Sequence, residues 1–292
     1  MIKCTLGIAV ALLVAGCMSS DIDVSWTRVP QWQMINGGEF IFGNSDGLAN
    51  EGPEVVLVVD SFYLSETEVT NRQFELFVNE AGYLTDAERK GGGTVFIDGW
   101  KIIEGADWRH PMGAGSSIDT IMDHPVVMVS YNDALSYCKW IGGRLPTEVE
   151  WEYAAKKGQS LLMRKNIWRG EFPDENIDLD GYLWTGSVNA YGADSLGLYQ
   201  MLGNVWEWCI DSYSYEVHDK WAFKKDSLPK VFLGGSFDPV KPEEDDTLRV
   251  IKGGSFMCHG STCEGYIPDA RQSAVQGEAF FHVGFRVAKN IE

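Results

Sequence analysis

Basic residues are scarce in this chain. Its 292 residues hold 24 Lys and Arg against 42 Asp and Glu, a formal charge of −18. Lys and Arg never run together beyond pairs such as Arg89-Lys90 and Lys156-Lys157. A nucleic-acid binder needs clustered positive charge to neutralise phosphate, so that class is excluded. An acidic surface instead favours solubility and suits calcium or a cationic peptide. Long apolar runs are missing too: the stretch from Leu6 to Ala15 is too short to cross a bilayer as a stable helix. The five histidines, His110, His124, His218, His259 and His282, show neither H-x-x-x-H nor H-E-x-x-H spacing, which excludes an iron or zinc triad of that kind. There is no tandem repeat and no linker to divide the chain, so one domain is expected.

What is present is aromatic and glycine-rich. Eleven Trp and 32 Gly suggest many turns and irregular loops held by large aromatic anchors. The N-terminus has the form of an export signal, with Lys3 supplying positive charge ahead of the apolar run. The run ends in Val14-Ala15-Gly16-Cys17, which resembles a bacterial lipobox. Residues 1–17 then read as a lipoprotein signal peptide with Cys17 as the lipidated residue, 18–27 as a tether, and 28–292 as the folded domain. Expected location is the bacterial cell envelope, outside the cytoplasm, with the protein anchored to a membrane by lipid. Of six cysteines, Cys4 and Cys17 belong to the signal; Cys138, Cys209, Cys258 and Cys263 remain for the domain.

Local patterns give an α+β outline. Gly37 to Gly43, Glu54 to Val59 and Phe62 to Leu64 read as strands. Thr70-Asn71-Arg72-Gln73 has the form of a capping box and opens a helix with Phe74, Phe77 and Val78 on one face, stopped at Gly82. Residues 90–124 read as a long excursion of the kind that carries function. His124 to Val129 reads as a short strand, and Ser130 caps a helix running to Trp140. Thr147 and Glu150 form another capping box. No long helix is expected beyond about residue 160, and Val283 to Val287 reads as a closing strand.

The most informative segment is Lys252-Gly253-Gly254-Ser255-Phe256-Met257-Cys258-His259-Gly260-Ser261-Thr262-Cys263. Its two thiols admit three readings: a soft clamp for Cu(I), a disulfide, or two separate buried cysteines. A loop this small gains little from a cross-link in the unfolded chain, which weighs against a purely structural disulfide.

Several segments in order resemble the formylglycine-generating enzyme, or sulfatase-modifying factor, family. They are Glu68-Val69-Thr70-Asn71, Trp108-Arg109-His110-Pro111, His124-Pro125-Val126-Val127 with Ser130 to Ala134, Arg144-Leu145-Pro146-Thr147-Glu148, Gly197-Leu198-Tyr199, Gly203 to Trp208, Gly253-Gly254-Ser255 and Gly284-Phe285-Arg286. The resemblance covers about residues 28–289. It implies a single irregular α+β domain, related to C-type lectins and low in regular secondary structure. It also implies a copper-dependent oxidase that converts a cysteine of client sulfatases to formylglycine with O2. Cys258 and Cys263 would hold Cu(I), and Ser255 and Trp206 would complete the catalytic set, with Arg271 in register downstream. The implied partner is an exported sulfatase, or another peptide of the form Cys-x-Pro/Ala-x-Arg, and a monomer is expected. The same scaffold also serves non-catalytic surface lipoproteins, so the alternative is a lectin-like protein binding a ligand through its C-terminal loops.

The resemblance further implies two structural calcium sites. Asn166, Ile167, Asp180 and Tyr182 would form the first. Gln200, Gly203, Val205 and Glu207 would form the second, with Gln200 where the family prefers Asn. Oxygen-only ligation of this kind suits calcium. The chain departs from the family in the groove: Thr262 replaces an aromatic residue, Glu264 to Asp269 replaces a basic stretch, and Gln276 to His282 replaces a loop bearing Pro-Asp-Ser and an Asn. Cys138 matches a cysteine that is bridged in some members, but its partner position is Val287, so that bridge is absent.

Overall fold

Hydroxyl side chains start the helices. In the computed structural model, which describes residues 30–177, 181–217, 230–231, 247–260 and 263–291, helix α1 (Asn71–Ala81) opens with Thr70 accepting from the Gln73 N–H while Gln73 accepts from the Thr70 N–H. The same reciprocal box opens α3 (Tyr131–Ile141) through Ser130 and Asp133 and α4 (Glu148–Lys157) through Thr147 and Glu150. It also opens a short helix that the sequence pattern did not suggest, α2 (Asp86–Lys90), through Thr85 and Glu88. Each box satisfies backbone donors that a helix start leaves open. Gly82 and Gly142 end α1 and α3 in the left-handed conformation, with φ of 59° and 72°.

Three small sheets surround these helices. Strand β9 (Trp206–Ser212) is central to the largest, in the order β12 (Arg271–Val275), β11 (Leu248–Lys252), β9, β13 (Val283–Gly284). A second joins β1 (Trp32–Ile35), β4 (Phe62–Ser65) and β14 (Ala288–Asn290), and a third joins β2 (Gly38–Phe42), β3 (Val55–Val59) and β10 (Lys230–Val231). The core on the α1 and α3 side is aromatic: Phe74 meets Trp108, Tyr137 and Phe285, with ring centroids between 5.4 and 6.4 Å apart. Among the described residues from 160 onward, helix is confined to the 3-10 turn Ser160–Leu162 and to Val217, which borders residues outside the description. The architecture is the expected single irregular α+β domain.

Three local expectations need correction. His124 to Val129 is not a strand: Pro125 makes one isolated bridge to Thr70, and Met128 takes a positive φ of 57° that breaks the extended run. The excursion at 90–124 is partly regular, because β5 (Gly92–Phe96) and β6 (Trp100–Glu104) form an antiparallel hairpin. Gly92 and Gly93 sit inside that strand because a side chain there would collide with the Ile103 carbonyl or the Met128 sulfur. The closing strand is split. Val283–Gly284 pairs with β9, and the chain then crosses so that Ala288–Asn290 pairs with β4.

Candidate active site at the cysteine pair

Strand β11 delivers the cysteine loop. It ends at the fully buried Lys252, which binds Glu152 at 3.0 Å. Gly253 and Gly254 follow with φ of 94° and 75°. A Cβ on Gly254 would lie 2.7 Å from the Gly265 backbone, so only glycine lets the two arms of the loop touch. The loop then folds on itself. Cys258 N–H donates to the Ser255 carbonyl at 2.9 Å, and Cys263 N–H to the His259 carbonyl at 2.9 Å. The result places the Cys258 and Cys263 sulfurs 2.9 Å apart, both as free thiols.

The two thiols differ electrically. A hydrogen bond from Cys258, helped by the Gly265 N–H and opposed by burial, holds Cys263 down to about 7. Cys258 is pushed well above the usual thiol range by that shared proton first and by burial second. Cys263 is therefore the thiolate near neutrality, and Cys258 the donor to it. Cys138 and Cys209 are buried elsewhere and pushed up by burial, so they are inert fillers.

Ser255 and Trp206 join the pair. Ser255 is fully buried, its N–H pointing at the Cys258 sulfur at 3.4 Å. Trp206 opens β9, and its indole lies over Gly265, where any side chain would collide with the ring. All four predicted residues, Trp206, Ser255, Cys258 and Cys263, line one cavity of about 430 Å³. Much of its remaining wall is aromatic, including Phe96 and Trp100 of the β5–β6 hairpin, Phe172 and Phe280. A second cavity of about 490 Å³ reaches Cys263 and Trp206 from the other side and carries Asp46, Glu51 and Glu264. Arg271 borders it, but its guanidinium is bound to Glu148 at 2.6 and 2.8 Å, which leaves the surroundings acidic. The sequence did not single out Phe96, Trp100, Phe172 or Gln272, which lie far from the cysteines along the chain.

The donor chemistry fits Cu(I). Two sulfurs on one short loop, one already a thiolate near neutrality, at the wall of an apolar cavity, are soft ligands in the surroundings such a cation prefers. The calcium residues fit less evenly. Asn166 is buried, and its amide donates to the Trp184 carbonyl and to Asn204. Its neighbours in the first set, Ile167 and Tyr182, lie in the adjoining loops, whereas Asp180 falls outside the described residues. In the second set Gln200 Oε1 is sealed without a partner, as a cation ligand would be. The Glu207 carboxylate, however, is taken by Arg286 at 2.6 and 2.8 Å and by the Trp151 indole at 2.8 Å. Those three donors occupy most of the carboxylate's acceptor sites, so Glu207 fits an ion less well than Gln200 does. The lipidation residue Cys17 and the boundaries near residues 17 and 27 also lie outside the described residues.

An irregular α+β scaffold carrying a Gly-Gly-Ser loop and a facing cysteine pair defines a class, and comparison with known proteins names it. A family profile described as "Sulfatase-modifying factor enzyme 1-like domain" matches residues 20–291. The formylglycine-generating enzyme of Thermomonospora curvata is 39% identical over 288 residues, covering 87% of this chain and 91% of that protein. A Bos taurus relative named "Inactive C-alpha-formylglycine-generating enzyme 2" is 37% identical over 230 residues, covering 66% of this chain and 76% of its own. Among solved structures, PvdO from Pseudomonas aeruginosa shares the fold at a TM-score of 0.64 and 21% identity, over 90% of this chain and 95% of that one. The chain belongs to the sulfatase-modifying factor family.

Proposed function

We propose that the protein oxidises a cysteine of client sulfatases to formylglycine, with O2 as oxidant and Cu(I) held by Cys258 and Cys263. The observation that carries this reading is the pair of sulfurs 2.9 Å apart on the wall of a cavity large enough for a client side chain. Active relatives such as the Thermomonospora curvata enzyme support it. When bound, copper supplies the redox chemistry and a third coordination position for the client thiolate. The chain supplies the rest. Cys258 and Cys263 hold the metal, and the aromatic walls exclude water from it. Ser255 and Trp206 shape the space beside the sulfurs. The acidic cavity on the far side of Cys263 offers Asp46 and Glu264 to a client arginine. In the client, a hydrogen leaves Cβ with two electrons, and hydrolysis of the thioaldehyde releases sulfide and the aldehyde. Where O2 goes fully to water, an added thiol supplies the second electron pair.

The test is an anaerobic Cu(I) titration followed by mass spectrometry of a Cys-x-Pro-x-Arg peptide after air is admitted. One copper per chain and an aldehyde product are expected, both lost in Cys258→Ser. A second reading has its own support: the 37% identical relative called inactive, and the changed loops at 264–269 and 276–282. It is a non-catalytic, lectin-like surface lipoprotein, and it predicts no Cu(I) uptake. Calcium at Asn166, Ile167, Asp180 and Tyr182, and a lipid anchor at Cys17 holding a monomer on the outside of the bacterial envelope, complete the proposal.

A further inference from the structure

His282 stands on the wall of the cysteine cavity, where it is the one titratable group besides the two thiols among the described residues. Its ring lies against Trp100 at 4.9 Å, Phe281 at 5.5 Å and Phe280 at 6.0 Å between centroids. Its carbonyl accepts from the Trp206 N–H at 3.0 Å, which ties it to the start of β9, where the indole meets the thiol loop. Burial holds its pKa down to about 3, so the ring is neutral at physiological pH. A neutral imidazole carries one proton, on one nitrogen or the other. Nδ1 is sealed from solvent and has no hydrogen-bond partner. A sealed N–H with no acceptor loses its bond to water with nothing in return, whereas a sealed lone pair is tolerated better. The proton therefore belongs on Nε2, the nitrogen left to face the cavity.

That tautomer separates two roles. An imidazole that ligates a metal through one nitrogen nearly always donates its other N–H to an acceptor. Nδ1 has no acceptor here, so His282 is poorly set up as a third copper ligand. It is well set up as a donor. A client segment entering this cavity buries its own backbone among aromatic rings, and each buried carbonyl needs an N–H or O–H. Ser255 is already committed to its own loop: its Oγ accepts from the Met257 N–H, and its hydroxyl hydrogen-bonds the Cys258 sulfur.

We propose that His282 binds the client, its Nε2–H donating to a main-chain carbonyl beside the target cysteine. The proposal rests on the oxidase reading above and adds to it a client-binding contact from the 276–282 loop. Two variants of the purified protein test it: His282→Phe keeps a flat ring without a donor, and His282→Gln keeps an N–H. Anaerobic binding of a Cys-x-Pro-x-Arg peptide should weaken about tenfold in His282→Phe, the scale of one lost hydrogen bond. His282→Gln should recover most of that loss. Cu(I) affinity, measured by competition with a chelator, should be the same in all three proteins. Histidine-ring ¹⁵N–¹H correlation of the peptide-free protein should show His282 neutral and protonated on Nε2. Unchanged peptide binding in His282→Phe overturns the proposal, as does Gln binding no better than Phe, which would make the role one of packing. Loss of Cu(I) affinity in His282→Phe, or a proton on Nδ1, makes it a ligand instead. If the wild-type protein binds no such peptide, the oxidase reading falls and this one with it. If it binds and the variants match it, this one alone falls.

Discussion

One proton shared between two sulfurs sets the chemistry at the residue scale. Either sulfur can donate in this contact, but the more deeply buried Cys258 keeps its proton and Cys263, lowered to about 7, accepts. Below that pH both groups are thiols; above it Cys263 is a thiolate, the form that binds metal and reacts with alkylating agents. In reduced, metal-free protein the alkylation rate should therefore rise through pH about 7 rather than the ~8.5 of an ordinary thiol, and mass mapping should find the label on Cys263 first. Cys258→Ala, which removes the donor, should move that inflection upward. An inflection near the ordinary value, or first labelling at Cys258, contradicts the assignment. The pair was legible in the sequence because both thiols sit on one short loop behind a Gly-Gly-Ser turn. Apart from Ser255 and Trp206, the cavity wall around them was not legible. Trp100 and His282 are 182 positions apart and meet only through tertiary packing at 4.9 Å.

At the scale of elements, capping chemistry was the readable part. Thr70, Ser130 and Thr147 each lie three residues before a side chain able to reach back, and each starts a helix as expected. Hydrophobic pattern failed where glycines replaced side chains. The β5–β6 hairpin begins Gly92-Gly93, which reads as loop, although Asp98-Gly99 between the β-branched pairs Thr94-Val95 and Ile102-Ile103 is a hairpin signal that went unused. It matters because its Phe96 and Trp100 form part of the cavity wall. The loops proposed to hold calcium are another element whose role lies in what they brace. Asn166 ties the Trp184 carbonyl to Asn204, and Asn204 in turn donates to the buried Glu68, two residues before the cap of α1. Removing an ion there should loosen this chain of contacts. Chelation with EGTA should lower Tm by several degrees, with about 2–4 °C for each kcal/mol of binding lost in a domain of this size. Added Ca²⁺ should restore Tm, and Asn166→Ala should abolish the response to EGTA. A Tm indifferent to chelation removes calcium from the proposal.

The whole molecule combines an acidic domain with a proposed export signal. A net charge of −18 keeps such a domain soluble and attracts basic client segments. No helix among the described residues is long and apolar enough to cross a bilayer, and the proposed attachment to a membrane is through Cys17. Expressed in a bacterium that processes lipoproteins, the wild-type chain should incorporate labelled palmitate and fractionate with membranes, and Cys17→Ser should do neither. Equal labelling of the two would contradict the lipobox. Family membership alone settles less than this, because relatives named formylglycine-generating enzyme and a relative named inactive both match this chain. The proposal turns on whether Cys258 and Cys263 take up a metal and pass electrons from a client. The most direct measurement is Cu(I) titration of the protein without oxygen, followed by air and mass spectrometry of a Cys-x-Pro-x-Arg peptide. The account predicts one tightly bound Cu(I) per chain and conversion of the peptide cysteine to an aldehyde, with both absent in Cys258→Ser. A wild-type protein that takes up no copper and returns the peptide unchanged would contradict it.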